Sequence, residues 1–232
     1  MSGTPLLTPD AALPEVARAP APWRLRGDGW ILLLRLPDEV RSDPRSLPPE
    51  LRDRPVSGPS MLMFVDYAAS PAGPYRELLY IPGRFRTTDG TRAWSVTRIF
   101  VSTWDSVVNG RLNWGIPKDL AEFTRLPSRR GERIEVRIGD RQVAAIDLEA
   151  HGPALPVHAA LLPGRLRRLV QYHGTRRFEF TPGARGRASL ARVGSIAADP
   201  ELVGEFSGAR VALALRIPEF ELQFPVAASR SR

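Results

Sequence analysis

The amino-acid sequence predicts an α+β protein that is mostly antiparallel β-sheet, arranged as a barrel or a strongly bent sheet with a few short helices. Its 232 residues, 43% of them hydrophobic, are enough to bury the core of one domain. About nine short segments rich in β-branched and aromatic residues are separated by glycine and proline, as strands are. These segments lack the alternation of strand and helix that marks a doubly wound sheet.

The predicted strands include two with clear alternation of apolar and polar residues, 132–138 and 210–217. Such alternation is typical of antiparallel strands with one face toward water. Gly139 and Asp140 separate the first of these from the next segment and predict a tight hairpin turn. The full set of predicted strands is 30–36, 61–67, 76–82, 94–102, 132–138, 142–149, 168–181, 186–195 and 209–217.

Helical signals are few. Thr103 is a suitable N-cap, and Gly110 stands where a helix would stop, so the sequence predicts a helix over 103–110. We expect one or two more short helices, near 38–53 and 199–204.

The chain is expected to contain one domain, residues 23–225, with a tail at each end. Residues 1–22 hold five prolines among alanines and small polar residues, which cannot bury enough apolar surface to order independently. We interpret them as a tail or a strap, and residues 226–232 as a C-terminal tail.

Composition excludes several functional classes. The chain has no cysteine, which removes disulfides and thiolate nucleophiles. The spacing of His151, His158 and His173 fits no common metal motif, so neither a metal nor another cofactor is expected. The longest apolar run, 30–34, is far shorter than the roughly 18 residues that a membrane span needs, and the start does not resemble a leader. These features predict a cytoplasmic protein without a membrane partner.

The formal charge of +8 raises the question of nucleic acid binding. The arginines are spread along the whole chain, however, and no stripe of exposed aromatic residues runs between them. We therefore expect a basic, solvated surface and no specific nucleic-acid partner.

Lys118 is the only lysine in the sequence, although lysine and arginine together number 33. Arginine stays charged in proteins and is no practical nucleophile, whereas a buried lysine can lose its proton. In a chain whose other basic residues are all arginine, a single lysine is expected at a position where a guanidinium could not replace an amine. Lys118 is therefore the first candidate for a reactive group.

Three stretches resemble the acetoacetate decarboxylase superfamily: VDYAASPAGPYRE at 65–77, NGRLNWGIPKDLAEF at 109–123, and the weaker IPEFELQFP at 217–225. With PWRLRGDGW at 22–30, the similarity covers nearly all of the chain from 23 to 225. The resemblance implies a barrel-like sheet around a central cavity and a lysine that forms a Schiff base with a small keto acid. It also implies a homo-oligomer.

The resemblance assigns roles to three residues, and two more are candidates. Lys118 matches the Schiff-base lysine, and Glu77 matches a glutamate in the same cavity that transfers protons or orients the substrate. Tyr75 is expected close to the site. Trp114 and Arg111 are candidates for substrate binding, although Trp114 could equally be a packing anchor and Arg111 could tie a loop to a strand.

Iminium formation requires a neutral amine, which means lowering the pKa of Lys118 from about 10.4 to near 7. Burial in an apolar pocket can supply a shift of that size. Acetoacetate decarboxylase is itself a known example of a lysine activated by desolvation or by a neighbouring cation.

Three positions depart from the family pattern. Asp119 stands where the decarboxylase has a second lysine, and Asp28 and Leu62 fall where the pattern has a cavity arginine and an acidic residue.

Taken with the resemblance, the sequence predicts a Schiff-base lyase that decarboxylates a β-keto acid, with two alternatives. One is an aldolase-dehydratase or a related lyase acting on keto acids, and the other is a non-catalytic barrel that binds a small ligand.

Overall fold

Alternating apolar and polar residues build two sheets in the computed structural model, which describes residues 7–87, 89–129 and 131–231. Short helices and turns connect the strands. The strands are β1 (Trp23–Arg35), β2 (Val56–Ser57), β3 (Ser60–Ala69), β4 (Tyr75–Ile81), β5 (Arg84–Arg86), β6 (Arg92–Trp94), β7 (Arg98–Val101), β8 (Lys118–Leu120), β9 (Glu122–Pro127), β10 (Glu132–Ile138), β11 (Arg141–His158), β12 (Leu169–His173), β13 (Arg176–Phe180), β14 (Gly183–Ala198), β15 (Arg210–Phe224) and β16 (Ala228–Ser231). The α-helices are α1 (Asp38–Arg41), α2 (Trp104–Trp114) and α3 (Gly164–Arg167), and 3-10 turns lie at Asp10–Ala12, Pro49–Leu51 and Ala159–Leu161.

The larger sheet has ten strands in the order β8-β7-β4-β3-β1-β15-β14-β11-β10-β9. Its neighbours pair in antiparallel fashion except β7 and β8, which are parallel. The two outermost strands, β8 and β9, are consecutive in the chain, and the guanidinium of Arg76 on β4 donates to the carbonyl of Phe123 on β9. The sheet therefore curls into a nearly closed, barrel-like form, as predicted.

The concave face of this sheet forms the first core. Residues from strands at both ends of the sheet meet there, which is possible only because the sheet curls. The buried side chains of this interior include Trp30, Leu62, Phe64, Tyr80, Ile134, Val136, Ile146 and Phe206.

The opposite face of β8, β7, β4, β3 and β1 packs against α2 and the second sheet. Because side chains alternate across a strand, residues beside those of the first core point into this second one. Val107 and Trp114 of α2 meet Val101 of β7 and Phe180 of β13 in it. The smaller sheet, in the order β16-β13-β12-β6-β5-β2, closes one side.

Residues 7–22, here called the N-terminal strap, lie along α2. The side chain of Asn109 accepts a hydrogen bond from the backbone N–H of Ala19 at 2.9 Å and donates to the carbonyl of Ala17 at 2.9 Å. Asn113, one turn later, donates to the carbonyl of Ala19 at 2.8 Å. The strap is thus held by side chains of the helix that also faces the sheet.

Several predicted elements are confirmed and others need correction. The hairpin at Gly139 and Asp140 is present, and seven of the nine predicted strands each correspond to one observed strand, 132–138 with the same ends. The other two predictions are corrected: 94–102 holds the end of β6 and all of β7, which belong to different sheets, and 168–181 is the hairpin of β12 and β13. The helix predicted over 103–110 runs on to Trp114, because Gly115, with a φ of 64°, is the residue that ends it. Residues 199–204 form turns instead of a helix, and 38–53 holds one helical turn and one 3-10 turn. Within the described ranges, no helix is both long and apolar enough to cross a membrane.

Candidate active site

Lys118 is the first residue of β8, and the parallel pairing with β7 sets its position opposite Ile99. The guanidinium of Arg111 in α2 donates two hydrogen bonds to the carbonyl oxygen of Lys118, from Nε at 2.9 Å and from Nη2 at 2.7 Å. The backbone at the lysine is therefore clamped to the helix, while its side chain extends into the second core.

Glu77 and Tyr75 lie two residues apart on β4, so their side chains share one face of the sheet. Since β4 pairs with β7, that face adjoins Lys118. The Nζ atom of Lys118 lies 2.9 Å from Oε2 of Glu77 and 3.3 Å from the hydroxyl of Tyr75. The three residues that the resemblance placed in the site are thus in direct contact.

Ser106 of α2 completes the surroundings of the amine, with its Oγ 2.9 Å from Nζ of Lys118. The hydroxyl of Ser106 is fully buried. An ammonium group has three N–H donors, and Glu77, Tyr75 and Ser106 supply one acceptor for each. Ser106 was not among the site residues predicted from the sequence. Its signal was the helical spacing to Gly110, because residues four apart lie on the same face of a helix.

Gly110 lets the lysine side chain pass beneath α2. A Cβ atom at this position would lie 2.7 Å from Cδ and 2.8 Å from Cε of Lys118. Real Cβ atoms do not approach other carbons that closely, so any larger residue would displace the lysine. The glycine inside the helix is explained by this contact.

A second tyrosine holds the other oxygen of the carboxylate. The hydroxyl of Tyr67 on β3 donates to Oε1 of Glu77 at 3.4 Å. The rings of Tyr67 and Tyr75 lie with their centres 4.7 Å apart, and Nζ of Lys118 lies 4.8 Å from the ring centre of Tyr75. The ammonium therefore also contacts an aromatic face, which attracts cations.

Burial and charge act in opposite directions on Lys118, whose side chain is 5% exposed beside a Glu77 side chain that is 6% exposed. Burial lowers the pKa of Lys118, but attraction to the carboxylate of Glu77 and the hydroxyl of Tyr75 outweighs burial, and the pKa lies above its ordinary value. Burial raises the pKa of Tyr75 to about 12 and that of Tyr67 well above its ordinary value.

The expected lowering of the lysine pKa is therefore not found in this structure. The prediction assumed an apolar pocket, whereas the pocket contains a carboxylate in contact with the amine. The resting pair is an ammonium and a carboxylate.

The other two candidates face elsewhere. Besides its bonds to Lys118, Arg111 donates through Nη1 to the carbonyl of Thr8 at 2.7 Å and to the carboxylate of Asp10 at 2.8 Å. Trp114 donates its indole N–H to the carbonyl of Pro225 at 2.7 Å and packs edge-on against Trp23. These contacts favour supporting roles for Arg111 and Trp114 over contact with a substrate.

The three positions that depart from the family pattern also point away from the amine. Asp119 accepts hydrogen bonds from the N–H and the hydroxyl of Thr8, at 2.9 and 2.7 Å. Asp28 forms ion pairs with Arg125 and Arg216, and Leu62 is part of the first core. In the described part of the chain, no group of three or more His, Asp or Glu side chains could hold a metal ion.

Comparison with known proteins adds evidence about the fold. Neither a protein-family model nor a curated protein sequence matches the chain. Among solved structures, the acetoacetate decarboxylase of Legionella pneumophila superposes with a TM-score of 0.64 and 14% identity, over 96% of this chain and 93% of that one. This chain has the acetoacetate decarboxylase-like fold. The predicted resemblance is thereby confirmed at the level of the fold.

Two further structures share this acetoacetate decarboxylase-like fold. An acetoacetate decarboxylase-like enzyme from Sphingomonas wittichii RW1 gives a TM-score of 0.61 at 16% identity, covering 100% of this chain and 99% of that one. The enduracididine biosynthesis enzyme MppR, complexed with the condensation product of pyruvate and imidazole 4-carboxaldehyde, gives a TM-score of 0.60 at 12% identity. This match covers 96% of this chain and 92% of that one. The fold thus occurs both in an acetoacetate decarboxylase and in an enduracididine biosynthesis enzyme.

Proposed function

We propose that this protein is a Schiff-base lyase of the acetoacetate decarboxylase type, in which Lys118 attacks the carbonyl carbon of a small molecule. The observation that carries the proposal is the buried contact of 2.9 Å between Nζ of Lys118 and Oε2 of Glu77. The only lysine of the chain is the residue in that contact. An adjacent general base is one of the ways in which an enzyme activates a nucleophile, and the carboxylate of Glu77 is placed to act as that base.

A protonated Lys118 cannot attack a carbonyl carbon, but Glu77 is placed to accept its proton. Transfer of one proton from Nζ to Oε2 converts the ammonium and the carboxylate into a neutral amine and a carboxylic acid, without changing the charge of the site. The amine then adds to the carbonyl carbon. Glu77 returns the proton to the resulting hydroxyl, which leaves as water, and the positive iminium faces the negative carboxylate.

The iminium withdraws electrons from the neighbouring carbon. In a decarboxylation, the bond to a β-carboxylate breaks, its electron pair forms an enamine and carbon dioxide leaves. In an aldol addition and dehydration, an α-proton is lost instead and the enamine attacks an aldehyde. The complex of MppR with a condensation product makes the second course a serious alternative for this fold.

A non-catalytic binding protein is the second candidate, and the raised pKa of Lys118 is the observation that favours it. A permanent ammonium could hold a carbonyl ligand by hydrogen bonding alone. Reduction distinguishes the two functions, because borohydride fixes an iminium covalently and leaves a hydrogen-bonded ligand free.

The experiment is intact-mass measurement after incubation with acetoacetate, pyruvate or a simple ketone in the presence of borohydride. Wild type should gain one reduced adduct, and Lys118→Arg, which keeps the positive charge, should gain none. If every carbonyl compound left the wild-type mass unchanged, the binding function would stand. The predicted homo-oligomer is a separate proposal, which light scattering tests.

A further inference from the structure

The charges around Lys118 bear on which carbonyl compounds can enter the site. We propose that the substrate is an uncharged ketone or aldehyde instead of a keto acid, and that Glu77 removes the proton from the carbon next to the iminium. This inference rests on the proposed Schiff-base chemistry of Lys118. It selects the aldol course over decarboxylation, because an uncharged ketone or aldehyde has no carboxylate to lose.

The hydrogen bonds of the amine supply the first argument. Nζ contacts Glu77, Tyr75 and Ser106, and only one of these carries a charge. The ammonium and the carboxylate therefore cancel. A substrate carboxylate would place a second negative charge beside Glu77 in a site whose side chains are about 5% exposed. A buried charge without its own partner is strongly unfavourable.

The directions of the neighbouring guanidinium groups supply the second argument. Arg76 lies between Tyr75 and Glu77 on β4, and Arg98 precedes Ile99, the residue of β7 opposite Lys118. Strand alternation turns both arginines to the other face. Arg76 binds Asp66 at 3.0 Å and the carbonyl of Phe123, and Arg98 donates to the carbonyls of Thr97 and Arg45.

Arg111 is closer to the amine in the chain, yet its guanidinium is occupied by the carbonyls of Lys118 and Thr8 and by Asp10. Within the described ranges, none of these three guanidinium groups is directed at the amine. None of these three is thus in place to receive a substrate carboxylate.

An uncharged substrate keeps the site neutral at every stage. The resting state has an ammonium and a carboxylate, the iminium state has an iminium and a carboxylate, and the enamine state has an enamine and a carboxylic acid. A β-keto acid would instead give the site one net negative charge throughout, since carbon dioxide leaves uncharged and the electron pair it leaves behind cancels the iminium charge. The apolar side chains beside the site, Leu79, Val101 and Val107, also suit an uncharged ligand.

Glu77 is placed for the second proton transfer. The bond between the α-carbon and its hydrogen breaks, the proton moves to the carboxylate, and the electron pair forms the carbon–carbon double bond of the enamine while nitrogen loses its charge. Tyr67 steadies the other oxygen, Oε1, by a hydrogen bond of 3.4 Å. Return of a solvent-derived deuteron along the same path would label the substrate.

The experiment compares 2-pentanone with levulinate, two methyl ketones of similar carbonyl reactivity that differ in a carboxylate. Borohydride trapping is followed by mass, and exchange of α-hydrogens in deuterated water by proton NMR. At equal concentration, 2-pentanone should be trapped about tenfold faster or more, and Lys118-dependent exchange should be seen with it. Equal or faster trapping of levulinate or acetoacetate would overturn the inference and leave the proposed function standing, whereas no adduct from any compound would overturn both.

A charge-removing variant tests the cause of the preference. Glu77→Gln should abolish the exchange and should narrow the difference in trapping between the two ketones, because the opposing carboxylate is gone. An unchanged ratio in a folded Glu77→Gln protein would show that shape, not charge, selects the substrate.

Discussion

Nζ of Lys118 and Oε2 of Glu77 lie 2.9 Å apart, and both side chains are almost wholly shielded from solvent. The contact joins the edge strand β8 to β4, with β7 between them. A lone buried ammonium would be driven toward its neutral form, but the carboxylate reverses that tendency. The pair, and not the lysine alone, therefore sets the charge of the site.

Lys118 should therefore titrate above its ordinary range in the resting protein. Because the chain has one lysine, lysine labelled with carbon-13 at Cε gives a single side-chain signal whose chemical shift follows protonation. In Glu77→Gln the pKa of Lys118 should fall, since burial remains and the attraction is gone. A midpoint near neutral pH in wild type would contradict the role assigned to Glu77.

The raised pKa of Lys118 also makes the stability of the fold depend on pH. A group whose pKa is higher in the folded than in the unfolded state stabilises the fold at pH values below its unfolded-state pKa. This stabilisation is lost as the pH rises through the folded-state pKa. This holds for Lys118 and for Tyr75, whose pKa burial raises to about 12. Urea unfolding should show a loss of stability above about pH 10, and a flat profile there would argue against both shifts.

Gly110→Ala should impair the site although alanine is the better helix former. Alanine in a helix interior is favoured over glycine by about 1 kcal/mol, but here its Cβ would collide with the side chain of Lys118. We expect borohydride trapping to slow by about 100-fold and the free energy of unfolding to fall by about 1 to 3 kcal/mol.

Gly164→Ala is the matched control, because a Cβ there meets nothing within 4 Å. Its trapping rate and stability should equal those of wild type. Normal trapping in Gly110→Ala would show that the lysine can reach the substrate by another path.

Ser106→Ala should slow trapping by about tenfold with little loss of folding. The variant removes one of three acceptors of the ammonium and lets the amine rotate away from its attacking direction. Ser207→Ala, at an exposed turn, serves as the control. An effect on KM alone, with the rate at saturation unchanged, would point to substrate contact instead of positioning.

Arg111→Gln should destabilise the protein by about 2 to 4 kcal/mol, since it leaves the buried carbonyl of Lys118 and the part-buried carbonyl of Thr8 without their donor. Arg26→Gln changes a guanidinium whose side chain is 74% exposed, and should cost less than about 1 kcal/mol. Urea unfolding of the two variants measures the difference. Equal costs would mean that the clamp on β8 contributes little.

The sequence predicted the mostly antiparallel fold and three of the residues that meet at the amine, because strand alternation and family motifs are local signals. It did not predict the state of Lys118, since the pKa depends on Glu77, which is 41 residues away in the chain. The same holds for Ser106, whose role depends on the packing of α2 over β8. Strand β9 was missed because its residues are largely exposed and carry little apolar pattern.

The most direct test of the account is peptide mapping of the wild-type protein after borohydride reduction with 2-pentanone. We expect one modified peptide, with the added mass on Lys118, and no modification in Lys118→Arg. An adduct that persisted in Lys118→Arg, or that mapped to the N-terminal amine alone, would contradict it.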